Sequence, residues 1–177
     1  MNSRLLRWAL ALTVASFGIK VFAHARLKPA GTLAPRSTDP GIKIGPCGGL
    51  PRTANPPMLA PGSTITVNWE ETIDHPGRFE FYFSPANDVG FVLLKTVPDT
   101  ATGPLPHQFS TTVTLPTTPC TDCTLQMIQV MTENPAAPTY YYSCMDLRTQ
   151  AVGTAPAPTP VPVPAPTPAP APNCKPE

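Results

Sequence analysis

Ser63-Thr64-Ile65-Thr66-Val67-Asn68-Trp69 alternates apolar Ile65, Val67 and Trp69 with polar Thr64, Thr66 and Asn68. A period of two sends each set to one face of an extended chain, the signature of a half-buried strand. Phe79-Glu80-Phe81-Tyr82-Phe83 repeats the pattern, with Phe79, Phe81 and Phe83 on one side. Working outward, Phe91-Val92-Leu93-Leu94 is a short apolar run and Phe109–Leu115 is rich in β-branched residues. Thr124–Met131 and Tyr140–Leu147 read as two further strands. Turn signals separate them at Pro76-Gly77, Pro85-Ala86-Asn87-Asp88 and Glu133-Asn134-Pro135. Short strands at this spacing, with no helical periodicity, predict an all-β antiparallel sandwich.

The flanks are different in kind. The segment that begins at His24 is rich in Pro, Gly and small polar residues, and reads as a long ordered loop. Gly45-Pro46-Cys47-Gly48-Gly49 is a turn cluster within it. From Ala155 onward the chain is a run of Ala-Pro, Thr-Pro and Val-Pro dipeptides. Such a run lacks large side chains and many backbone donors, so it is expected to stay outside any core as an extended tail. At the other end, Arg4 and Arg7 precede the apolar run Trp8–Phe17, and Val21 and Ala23 are small. This pattern predicts a secretory leader cut after Ala23. The expected organisation is therefore 1–23 leader, 24–150 folded domain and 151–177 Pro/Ala-rich tail.

Charge and cysteine usage narrow the class. The 177 residues carry 13% charged side chains and a formal net charge of +1, with no basic excess to mark a nucleic-acid partner. Export places the five cysteines in an oxidising compartment, where a disulfide framework is expected. Cys47, Cys120, Cys123 and Cys144 lie in the body, and sequence does not choose among their three pairings. Cys174 is the odd thiol of the tail. Cys120-Thr121-Asp122-Cys123 has redox or half-zinc spacing, yet a β-like run follows it, so a structural disulfide is the preferred reading.

The three histidines carry the chemistry. Cleavage after Ala23 would make His24 the mature N-terminus, offering an α-amine and an imidazole nitrogen from one residue. An α-amine titrates near ~8, within reach of displacement by a metal ion at neutral pH. A second histidine completes three nitrogens, a set that suits Cu(II). His75, in Asp74-His75-Pro76-Gly77, stands in a loop between two strands, where functional residues concentrate. His107 follows Gly103-Pro104-Leu105-Pro106 and reads as an exposed turn residue outside the ligand set.

Four segments in order carry a resemblance: His24-Ala25-Arg26-Leu27, Gly45-Pro46-Cys47-Gly48-Gly49, Glu70–Gly77 and Tyr140–Leu147. Together they resemble the lytic polysaccharide monooxygenase superfamily, in particular its small bacterial members. The resemblance covers most of the stretch from His24 to Leu147. It implies an immunoglobulin-like sandwich with one copper ion held in a histidine brace by His24 and His75. It implies Tyr141, three residues before Cys144, on the copper axis. It implies Gln129 beside the metal as a catalytic hydrogen-bonding group, with Glu70 and Glu71 as rival candidates for that role or as exposed strand-end charges. The implied activity is oxidative cleavage of a chitin- or cellulose-like polysaccharide, driven by an external reductant with dioxygen or hydrogen peroxide. The protein is expected to be secreted and monomeric, with no membrane span after processing. A β-sandwich copper carrier is the alternative from a second class. The loops 24–61 and 88–106 hold no Trp or Tyr to stack on a sugar, which keeps that alternative open. A disulfide-stapled structural module is a third.

Overall fold

The period-two runs all form strands, and they close into two sheets. The structure, a computed structural model, describes residues 24–151. The expected leader and the proline-rich tail lie outside the described residues. Eight strands follow in chain order: β1 Ala25–Lys28, β2 Met58–Leu59, β3 Thr64–Glu71, β4 Gly77–Ser84, β5 Val92–Pro98, β6 His107–Thr114, β7 Cys120–Met131 and β8 Thr139–Thr149. One sheet has the order β1-β3-β6, the other β2-β8-β7-β4-β5. All pairs are antiparallel except β2 with β8. The chain is an all-β sandwich, as its alternation predicts.

The core is built from the inward rows of both sheets. Across the smaller sheet Leu27, Trp69 and Phe109 stand in register. Trp69 stacks on Phe109 at 5.1 Å and meets Phe79 and Phe81 of the facing sheet edge-on. These contacts bury aromatic area in the offset and T-shaped geometries such rings prefer. On β7 the inward positions run Cys123, Leu125, Met127 and then Gln129, all essentially inaccessible. The apolar row thus ends in an amide, at the end of the sandwich where β1 begins. A polar side chain in that place needs partners, and it finds them in the site described below.

The long loop is ordered, as its reading predicts, and it also contributes two short strands. Pairing with β3 recruits β1, and pairing with β8 recruits β2. The intervening chain lines the remaining edge of β8, through Arg36 N–H to Cys144 O at 2.8 Å and Tyr142 N–H to Ile42 O at 2.9 Å. This covers backbone groups that an open edge would leave to another chain. Cys47 is bonded to Cys144, fixing the Gly-Pro-Cys-Gly-Gly turn to β8, and Cys120 is bonded to Cys123.

Candidate metal centre

Gly77 begins β4 against β7, and a Cβ there would sit 2.0 Å from Val130 O. No other residue allows that approach, so the loop holding His75 enters the sheet at a point only glycine permits. His24, immediately before β1, is held by Thr72 from two sides. The His24 N–H donates to Thr72 Oγ1 at 3.1 Å, and the Thr72 hydroxyl and amide both donate to His24 O at 2.9 Å.

These two loops bring the rings together. The His24 and His75 rings are parallel within 4°, with centroids 5.3 Å apart. Tyr141, on β8 opposite Gln129, stacks on the His24 ring at 3.3 Å. Lys43 Nζ lies 5.1 Å from the centroid of the Tyr141 ring. Three of the residues singled out from sequence, 117 positions apart from His24 to Tyr141, thus meet in one place.

The donor set fits a metal ion. His24 Nδ1 is buried and has no hydrogen-bond partner. Such an atom costs free energy unless something binds it. Burial, helped by His75 and Lys43, pushes the His24 imidazole down to about 4, so its lone pair is available at neutral pH. His75 Nδ1 is in close contact with Glu133 Oε1. A carboxylate on one ring nitrogen sets the tautomer and leaves the other, Nε2, for a ligand. Nitrogen donors of this kind suit copper.

Gln129 links this group to a second one. Its Oε1 accepts from Ala25 N–H at 2.8 Å, and its Nε2 donates to Glu71 Oε1 at 2.7 Å. It therefore holds the residue next to His24. The expected strand-end exposure of Glu70 and Glu71 does not occur. Glu70 is 5% exposed and bonds Arg26, Lys28 and Gln108. Burial alone would raise its carboxyl, but those partners hold it down to about 2. Glu71 is wholly buried, and burial together with Asp99 pushes its carboxyl up to about 7.

His107 is a second correction. It is 6% exposed, not a surface turn residue, because β6 starts at His107 in register with Glu71. Turn composition before it gave no sign of this pairing across 36 positions of sequence. Glu133 was missed as well, since its partner His75 lies on another loop and nothing local marks the pair.

No protein-family model matches the chain, and no curated protein sequence matches it. Among solved structures, the fold is similar to a cellulose-active polysaccharide monooxygenase from M. thermophila, at 18% identity and a TM-score of 0.46. That match covers 63% of this chain and 61% of that one, so the chain spans about six-tenths of its length. A lytic polysaccharide monooxygenase from Streptomyces lividans is similar at 18% identity and a TM-score of 0.46, over 68% of this chain and 84% of that one. A chitin binding domain from Burkholderia pseudomallei is similar at 15% identity and a TM-score of 0.43, over 71% and 85%. Among the described residues, no helix is long and apolar enough to cross a membrane.

Proposed function

We propose that the chain is a secreted copper-dependent polysaccharide monooxygenase, metallated after a leader is cut before His24. The observation that carries the reading is the buried, unpartnered Nδ1 of His24 beside His75. His24, through its ring and its freed α-amine, and His75, through Nε2, would hold the ion, with the Tyr141 ring stacked on that of His24 beside it. Bound copper supplies one-electron chemistry that lets an external reductant and dioxygen or hydrogen peroxide oxidise a C–H bond beside a glycosidic linkage.

The chain's own residues supply position and exclusion. Thr72 pins the His24 backbone, so the α-amine is delivered to one place. Glu133 orients the His75 ring. Gln129 holds Ala25 and ties it to Glu71, spending one of its two N–H donors there and leaving the other for catalysis. The Tyr141 ring, itself 4% exposed, covers the His24 ring and keeps water from it. Rigid support of this sort matters because a ligand misplaced by an ångström loses much of its value. The polysaccharide, the reductant and the monomeric state belong to the same proposal.

A second reading, copper binding or transfer without oxidation, is favoured by the lack of Trp and Tyr in residues 24–61 and 88–106. Product mass spectrometry separates the two. Protein with a verified His24 terminus, loaded with copper and given ascorbate, is offered chitin, cellulose and xylan beside a His75→Ala control. Oxidised oligosaccharides from the native form alone are the expected result. Their absence, with copper still nitrogen-bound by electron paramagnetic resonance, would select the carrier.

A further inference from the structure

Donors and acceptors can be assigned outward from Gln129. The Ala25 N–H can only donate, so the Gln129 side-chain oxygen is the atom that faces it at 2.8 Å. The amide nitrogen is then the atom 2.7 Å from Glu71 Oε1, and that oxygen must accept. On the far side, His107 Nε2 lies 3.2 Å from Gly103 O, which can only accept, so Nε2 carries a proton. His107 Nδ1 faces Glu71 Oε2 at 3.2 Å. With His107 charged and Glu71 ionised, both Glu71 oxygens are acceptors.

Asp99, just after β5, completes the group. Its carboxyl is hydrogen-bonded to that of Glu71 and also takes the Ala101 N–H. Two ionised carboxylates in contact repel, and a hydrogen bond between them needs a proton. Among the described residues neither acid has a lysine or arginine ion-pair partner. Burial raises both carboxyls, so the pair keeps a proton where an ordinary acid has lost it. Glu71 already accepts at both oxygens, which leaves Asp99 as the holder. A charged His107, an ionised Glu71 and a protonated Asp99 sum to no net charge, the state that burial favours. The other charged group facing both acids is Asp74, exposed on the β3–β4 loop.

We propose that Asp99, by donating a proton to Glu71, is a positioning residue that holds Gln129 on Ala25 and so fixes the start of β1. Once that proton leaves, repulsion between the two carboxylates draws Glu71 off the Gln129 amide and frees the Ala25 N–H. The consequence for metal uptake rests on the proposed copper reading, because Ala25 follows His24; the proton and the hold on Ala25 do not. Above ~4 the unfolded chain has released a proton that the folded pair still holds. The stability this confers is complete at acid pH and is lost as pH rises through about 7. The amide of an Asp99→Asn chain donates to Glu71 at every pH and has no such proton to lose.

The test uses the copper-free chain. Between about pH 5 and 8 the native Tm should fall by about 5 °C or more relative to that of Asp99→Asn. Over the same range hydrogen exchange at the Ala25 N–H, corrected for its intrinsic rate, should show about tenfold loss of protection in the native chain and none in Asp99→Asn. Asp99→Ala, which has no donor, should lack that protection throughout. Carbon-13 NMR of the native carboxyls depends on no variant, and should show Asp99 and Glu71 titrating together above the usual range. Two separate titrations near ~4, Ala25 protection that ignores pH, or an Asn variant that loses protection as the Ala variant does would overturn the proposal. Copper calorimetry on the cleaved form separates the two readings. A pH-dependent hold on Ala25 in a chain that binds no copper supports the proton device and sinks the copper reading alone.

Discussion

The two ends of β7 handle polar groups in opposite ways. At the Thr124 end, Arg36 is 1% exposed and Asp146 is fully buried, yet every charge is answered. Arg36 bonds Asp146 through Nε at 2.9 Å and through a terminal nitrogen at 2.6 Å. It bonds both oxygens of Asp88 at 2.7 Å, and Arg52 adds contacts to Asp88, Thr124 and Asp146. Roughly 17 Å along the same strand, at the Gln129 end, His24 Nδ1 is buried and unanswered. Closed networks hold a fold together, whereas buried atoms without partners mark places where something else is meant to bind. The Trp69 indole N–H is also buried without an acceptor, in the middle of the core, and nothing in the structure explains it.

Breaking the closed end should have the largest effect. Arg36→Ala leaves Arg52 as the cation on the buried Asp146 and on Asp88, and is expected to cost about 3 kcal/mol, read from urea denaturation, because the buried carboxylate loses its principal partner. A small loss would mean that the network adds little and that the two ends of β7 differ less in stability than in partners. At the open end, His75→Ala should leave the urea midpoint nearly unchanged while copper affinity falls by about 100-fold or more, measured by calorimetry on the cleaved form. Copper retained at full affinity would remove His75 from the site. Glu133→Ala should weaken copper by about 10–100-fold, since the ring loses the carboxylate that orients it.

The smallest effect is an acid limb. Arg36 first, and then Thr124 and Arg52, hold the Asp88 carboxyl below its usual 3.8, against the opposing pull of burial. As pH falls below that value the unfolded chain takes up the proton before the folded one does. The stabilisation is thus complete above pH 3.8 and lost as pH drops through the folded-state value. Asp88→Asn should flatten that part of the stability profile by about 1 kcal/mol, discounted because the side chain is partly solvated. An unchanged profile would mean that Asp88 is only a spectator of the Arg36 pair.

The six long strands were legible because alternation survives wherever one face meets the core. The pair β1 and β2 was not, since four and two residues are too few to show a period and exist as strands through their partners. His24, His75, Tyr141 and Gln129 were named from an expected leader boundary and a set of ordered motifs, and the fold gathers all four at one end. His107 was misjudged as a surface group, and exposure stayed open for Glu71, because their burial follows from strand register, which no local stretch reveals. Arg36 with Asp146, and His75 with Glu133, are joined across 110 and 58 positions, and charge alone did not single them out.

The start of β1 also acts as a gauge. Ala25 is locked opposite Glu71 and residue 24 is pinned by Thr72, so on the proposed reading the sheet fixes where the first atom of a cleaved chain must fall. A leader cut one residue late would discard the imidazole. A cut one residue early would turn the needed amine into an amide, which holds its proton, and place the free end about one residue's length away. On the proposed reading, the sandwich inspects the work of the processing enzyme to a tolerance of a single peptide bond, and only correctly trimmed copies become competent to take up copper.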